Sequence, residues 1–260
     1  MRSEDWASFE LLDQEIFPDD RLEKGAFERF LLTNSFFGLE AQYGELVGYL
    51  KLNSFENRTG HLGRIGVARE HQGRGFGSLL MDFAIQWFTK HHVHQIDLYT
   101  QDFNIQAQRL YQKFGFKRIG TTWHYILPFD SLLPAKDLYT TQIIKTDEIE
   151  RVAQTFSNTM SAAGIRLWLE NDIVLTLKNQ EGTIVGACRL TPSFPGCFPF
   201  ELDRVDGLDD FVEGFRSFIP VEYDYIRLTF TDNPDLAIIL DERQCKLHHR
   251  LFRMRLELTP

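Results

Sequence analysis

The chain has 260 residues, 43% apolar and 25% charged, which excludes wholesale disorder and suits one large domain or two small ones. A net charge of −9 argues against a nucleic-acid backbone as main partner, and three cysteines, Cys188, Cys197 and Cys245, cannot close a set of disulfides. No stretch approaches the roughly 18 apolar residues of a membrane span, and MRSEDWASFELL carries acids where a signal peptide carries an apolar run, so a cytoplasmic protein is expected.

In chain order, Ser3 is read as the cap of a first helix bearing Trp6, Phe9, Leu12 and Ile16 and stopping near Pro18. A second helix holds Phe27, Phe30 and Leu31. Strands are expected at 36–42 and 45–53, joined by a tight turn at Tyr43 and Gly44, and at 61–68. Leu79, Leu80, Phe83, Ala84, Trp87 and Phe88 recur at helical spacing over 75–90. A strand at 95–100, a helix over 104–114 and a strand at 121–128 follow. Alternating strands and helices after a hairpin give an α/β class with a mixed sheet.

The second half repeats this order. It opens with a strand at 139–145 and a helix from Asp147, with Glu150 as a capping-box partner. A hairpin (172–178, 183–190), a strand at 198–204, a helix at 209–218, a strand at 225–230, a helix at 234–243 and a strand at 249–258 complete it. GELVGYLKL at 44–52 returns as GTIVGACRL at 182–190, and QIDLYT at 95–100 as YIRLTF at 225–230, offsets of 138 and 130. A tandem duplication is therefore expected, with domains 1–130 and 139–260 and a linker at 131–138, where SLLPAKD carries a proline between periodic regions.

Residues 65–80 read IGVAREHQGRGFGSLL, placing Gly73, Gly75 and Gly77 between a β-type run and an amphipathic helix. A helix start stripped of side chains offers free N–H groups and the positive end of the dipole, and Arg74 adds a side chain able to grip phosphate. The pattern suits a pyrophosphate. It matches neither the dinucleotide G-x-G-x-x-G nor a P-loop.

Gln72-Gly73-Arg74-Gly75-Phe76-Gly77 fits Q/R-x-x-G-x-G/A, and here the chain resembles the GNAT superfamily of acyl-CoA-dependent N-acyltransferases. NIQAQRLYQKFGFKRIG at 104–120 resembles that family's second signature. The resemblance implies a GNAT fold, a mixed central sheet flanked by helices, in two tandem copies. It implies that backbone amides from Gly73 to Gly77, Phe76 included, hold the pyrophosphate of acetyl-CoA beside Gln72 and Arg74. The backbone at Val67 would pair with the pantetheine arm and polarise the thioester carbonyl. Asn104 would contact the arm, and Tyr111 would protonate the leaving thiolate. An amine would attack directly through a tetrahedral intermediate, with no metal. The acceptor implied is a small-molecule or peptide amine, with neither nucleic acid nor membrane as partner; oligomeric state is left open. A packing role for Tyr111, a capping role for Asn104 and a solvated role for Arg74 stay beside these readings. No motif identifies the base: Glu40, Glu56, His61 and a water chain are the candidates.

At an offset of 130, Gln72, Gly73, Gly75 and Gly77 meet Leu202, Asp203, Val205 and Gly207, Tyr111 meets Asp241, and Gly115 meets Cys245. Acids at 201, 203, 206, 209 and 210 would repel a pyrophosphate, so the second copy reads as degenerate, its acidic segment either facing the acceptor cleft to draw a cationic amine or serving as a purely structural cap or dimer surface. A non-catalytic acyl-CoA sensor or scaffold is the alternative from another class.

Overall fold

The computed structural model describes every residue except Asp19, Glu56, Pro192, Ser193, Val221, Thr259 and Pro260. Helices α1 (Trp6–Ile16) and α2 (Lys24–Leu31) precede strands β1 (Phe36–Glu40), β2 (Leu46–Ser54) and β3 (Thr59–Val67). Helix α3 (Phe76–Lys90), β4 (Gln95–Gln101), α4 (Ile105–Lys113) and β5 (Lys117–Pro128) follow. Next come β6 (Tyr139–Ile143), α5 (Ile149–Thr155), α6 (Ala162–Trp168), β7 (Ile173–Asn179), β8 (Ile184–Leu190) and β9 (Gly196–Leu202). The chain ends with α7 (Leu208–Phe215), β10 (Tyr225–Thr231), α8 (Pro234–Glu242) and β11 (Lys246–Glu257).

The chain forms two compact units, Met1–Ile119 with the chain from Phe252 onward, and Gly120–Leu251. The division differs from the one expected at 131–138. Strand β5 runs unbroken through Ile119 and Gly120, and its residues Thr122 to Pro128 pair antiparallel with β10. Strand β11 runs through Leu251 and Phe252 to lie beside β4. Each half of the chain therefore gives its last strand to the other unit. Alternation in a strand fixes which face is buried, not which strand becomes the neighbour. The segment expected as a linker is fastened: Asp209 accepts the N–H of Leu133, and Asp210 those of Lys136, Leu138 and Tyr139, at 2.7–3.1 Å.

In the first unit the strand order is β1-β2-β3-β4-β11. The β1–β2 and β2–β3 pairs are antiparallel and β3–β4 is parallel. One face packs Leu62, Ile96, Leu98 and Met254 against Leu80, Met81 and Phe88 of α3 and Tyr111 of α4. On the other, Phe36 and Tyr49 meet Phe9 and Leu12 of α1 and Phe27 of α2. Each fully buried Phe or Leu contributes about 2–3 kcal/mol, so these two layers anchor the sheet on both faces. Beneath α1 the buried Asp13 accepts from the Tyr49 hydroxyl and from Arg64 at 2.9 Å, and Arg64 also ties down Asp20 at 3.0 Å.

The second unit has the order β5-β10-β9-β8-β7-β6. Phe200, Phe211, Leu228, Phe230, Leu236 and Leu240 fill one face, and Ile149, Val152, Phe156, Ile165 and Val174 the other. Among the described residues the first unit has no counterpart of β6. Three local expectations are corrected. Ser3 lies inside a 3₁₀ turn (Ser3–Asp5), where Asp5 accepts the N–H of Arg2 at 2.6 Å. Glu148, not Glu150, accepts the N–H of Lys145. Helix α6 was not expected; its cap is Ser161, which accepts from Gly164 at 3.1 Å.

Candidate active site

The parallel ladder between β3 and β4 runs from Thr59–Gln95 to Leu62–Leu98 and ends there among the described residues. At that level β3 carries an extra residue: Leu62 faces Leu52 and Arg64 faces Lys51, leaving Gly63 as a bulge. Ala68 donates to the Val47 carbonyl at 2.8 Å, so by alternation the peptide groups of Ile65 and Val67 point away from β2, toward the opened side. Gln72 Nε2 donates to the Val67 carbonyl at 3.0 Å, tying the loop to the strand end.

The glycines of the loop differ in what they do. Gly73 (φ +75°) and Gly75 (φ +89°) sit in the left-handed region, with nothing within 4 Å of where a Cβ would stand. At Gly77 a Cβ would lie 3.2 Å from Leu110, so that glycine serves the approach of α3 to α4. The Gly75 carbonyl accepts from Leu79 at 3.0 Å, leaving the N–H groups of Phe76, Gly77 and Ser78 at the open turn of α3. The Phe76 ring packs 5.7 Å from that of His71. Arg74 is exposed and makes no ion pair among the described residues. This open, glycine-lined turn fits a pyrophosphate.

Asn104 caps α4, its Oδ1 accepting from Ala107 at 3.1 Å, which leaves its amide N–H groups for other use. Tyr111, seven residues on, is 6% exposed and packed with Leu62, Val67 and Leu98, which border the gap. Burial pushes its phenol well above the ordinary value, and its hydroxyl makes no hydrogen bond to another described residue. The packing role is therefore real, and a protonated hydroxyl remains.

Of the candidate bases, Glu40 is exposed at the end of edge strand β1, and Glu56 lies outside the described residues. His61 stands one residue before the end of the ladder, opposite Asp97. Leu62 faces the α3 side, so His61 faces the other. Burial holds its imidazole below the ordinary value, its ring bonds to the backbone of Asp97, and the Tyr99 ring stands edge-on at 5.9 Å. Asp97, Arg253 and Arg255 share that face and carry no motif. The nearest thing to a metal cluster among the described residues is Glu45, Glu70 and His71, with His71 Nε2 3.6 Å from Glu70 and 3.8 Å from Glu45.

The second unit has the same frame with a different mouth. Its β9–β10 ladder also stops early, at Cys197–Leu228, and β9 also bulges against β8. Asn233 caps α8 as Asn104 caps α4, accepting from Leu236 at 3.0 Å. Counted from these caps, the counterpart of Tyr111 is buried Leu240 and that of Gly115 is Gln244, both of the latter at positive φ. This replaces the pairing with Asp241, which instead accepts from Tyr125 at 2.6 Å, and with Cys245. The acids at 209 and 210 are not a free surface. Both are 7% exposed at the start of α7, holding 133–139, with Arg243 bound to Asp209 at 2.6 and 2.8 Å.

A mixed sheet that opens between two parallel strands, below a helix whose first turn is capped by left-handed glycine, defines the GNAT fold. Residues 1–116 match the acetyltransferase (GNAT) family. Streptothricin acetyltransferase of Escherichia coli is 39% identical over 72 residues, 28% of this chain and 41% of that protein. N-acetylaspartate synthetase of Danio rerio is 29% identical over 108 residues, 41% of this chain and 38% of that protein. The chain thus spans about two fifths of these relatives. Over its whole length it resembles a GCN5-related N-acetyltransferase from Sphaerobacter thermophilus, with TM-score 0.73, 17% identity and 95% of that chain covered. A tandem GNAT protein from the clavulanic acid biosynthesis pathway gives TM-score 0.60 at 14% identity, with 99% and 95% covered. Among the described residues, no helix is long and apolar enough to cross a membrane.

Proposed function

We propose that the first unit transfers an acetyl group from acetyl-CoA to a primary amine of a small molecule or peptide. The observation that carries this is the gap between β3 and β4, lined by the peptide N–H groups of Ile65 and Val67 and lying below the open turn of α3. Gly73, Gly75 and the N–H groups of Phe76 and Gly77 hold the pyrophosphate, with Gln72 and Arg74 beside it. Val67 and its neighbours hold the pantetheine arm as an added strand would, and Asn104 reaches it from the cap of α4.

Acetyl-CoA supplies the activated acyl carbon. A backbone N–H between Gly63 and Val67 polarises its carbonyl. His61 takes the proton that the amine loses as its nitrogen bonds to that carbon. Tyr111, kept protonated by burial, gives a proton to the sulfur as the carbon–sulfur bond breaks. The two groups stand on opposite faces of the sheet, so acid and base do not neutralise each other.

The second unit holds no donor in this reading, because carboxylates occupy the start of α7 where phosphate would sit. Relatives named for streptothricin, N-acetylaspartate and mycothiol keep the acceptor at the level of an amine. The three buried free thiols suit a reducing compartment such as the cytoplasm. The test is CoA release with a panel of amines. Acceptor-dependent release supports the enzyme; binding without release supports a sensor and removes the transferase reading.

A further inference from the structure

The strand that completes the first unit's sheet brings two arginines to the face that carries His61. Arg255 meets Asp97 with both ends of its guanidinium, Nε to Oδ1 at 2.7 Å and an NH2 nitrogen to Oδ2 at 2.9 Å. Arg253 reaches the same Oδ2 at 2.9 Å through an NH2 nitrogen and at 3.3 Å through Nε. Burial alone would raise the Asp97 carboxyl, but these bonds hold it below the ordinary range. Two cations spent on one carboxylate is more than neutralisation requires. Asp97 stands opposite His61 in the β3–β4 pair, on the same face, and its backbone holds the His61 ring.

We propose that Arg253 and Arg255 are positioning residues for His61, fixing and neutralising the carboxylate of the residue that holds its imidazole. The inference rests on the reading of His61 as proton acceptor. The charged and titratable groups around the imidazole are Lys51 on β2 and Asp97 and Tyr99 on β4; Arg253 and Arg255 on β11, with Glu257 beside Arg255, reach it through Asp97. Lys51 is itself fixed by Ser35, the Leu52 carbonyl and Asn53 at 2.7–2.8 Å. With the arginines in place the positive charge exceeds the negative, and the imidazole stays unprotonated and ready to accept. Without Arg255, the Asp97 carboxylate is freed to act on the imidazole, which then holds its proton to higher pH.

The experiment uses the full chain and two readouts, the pH profile of kcat/KM and the imidazole titration of His61 followed by NMR. Arg255→Gln is expected to move the acid limb and the titration upward by about one pH unit. Arg255→Lys moves them less, and adding Asp97→Asn to Arg255→Gln returns them. Should Arg255→Gln not fold, Asp97→Asn alone is expected to move both downward, and no movement overturns the proposal. An unmoved limb and titration in folded Arg255→Gln overturns it while leaving His61 as base. His61→Gln with unchanged rate and limb overturns the reading on which it rests.

Discussion

Asn104 and Asn233 hold the same position in the two units: each caps a helix by accepting the N–H three residues on, at 3.1 and 3.0 Å. Seven residues beyond the first is Tyr111; seven beyond the second is Leu240. The capping frame is shared and the tyrosine is not. Tyr111→Phe is expected to lower kcat about 100-fold. Because the hydroxyl bonds to no other described residue, stability should change by less than about 1 kcal/mol. Steady-state rates and thermal melts check both, and an unchanged kcat removes the acid role.

Gly75 and Gly77 separate binding from packing. Gly75→Ala forces a side chain into the left-handed region, at about 1–2 kcal/mol, and projects a methyl into open space at the turn of α3. Its affinity for acetyl-CoA should fall at least about tenfold, equivalent to about 1.4 kcal/mol. Gly77→Ala presses on Leu110 at 3.2 Å and should cost about 1 kcal/mol of stability with affinity kept. Calorimetric titration is expected to give one site per chain for the native protein.

Glu201 and His124 give the second unit two opposed pH dependences. Burial, with Asp203 and Asp232 nearby, raises the Glu201 carboxyl from 4.5 to about 7. The folded state therefore holds that proton more tightly, and stability falls as pH rises through this window. Burial, with His249, His248 and Arg227, lowers His124 from 6.5 to about 4, so stability falls as pH drops through that window. Each slope amounts to about 3 kcal/mol, and they nearly cancel between them. Glu201→Gln should leave a protein that weakens toward pH 4, and His124→Gln one that weakens toward pH 7. Denaturant titrations across pH that show equal slopes in both variants would refute this.

A chain ending at residue 130 retains every motif of the first unit and is expected not to fold. It lacks Met254, which is 1% exposed and worth about 2 kcal/mol in burial, and the packing of Phe252 and Leu256. Circular dichroism and acetyl-CoA titration should show neither cooperative melting nor binding. A folded, binding fragment would show the exchanged strand to be dispensable.

The glycine loop, the turn at Tyr43 and Gly44 and most elements were readable because they depend on local torsions and periodicity. The exchanged strands were not, because alternation along β5 and β11 is the same whichever neighbour each joins. The structural role of Asp209 and Asp210 was not legible because their partners at 133–139 lie some 70 residues away. The pairing of Tyr111 with Asp241 failed by one residue, which short repeat matches do not resolve and a helix cap does. Asp97 and its arginines stand 156 and 158 residues apart, beyond any motif.

The strand exchange also sets an order of events during synthesis. The first unit's motifs leave the ribosome early, but the strand beside β4 is encoded from Phe252 onward, after the whole of the second unit. At usual elongation rates that strand arrives on the order of ten seconds after Ile119. The unit made first is finished last, and until then β4 presents an open edge to every other chain in the cell.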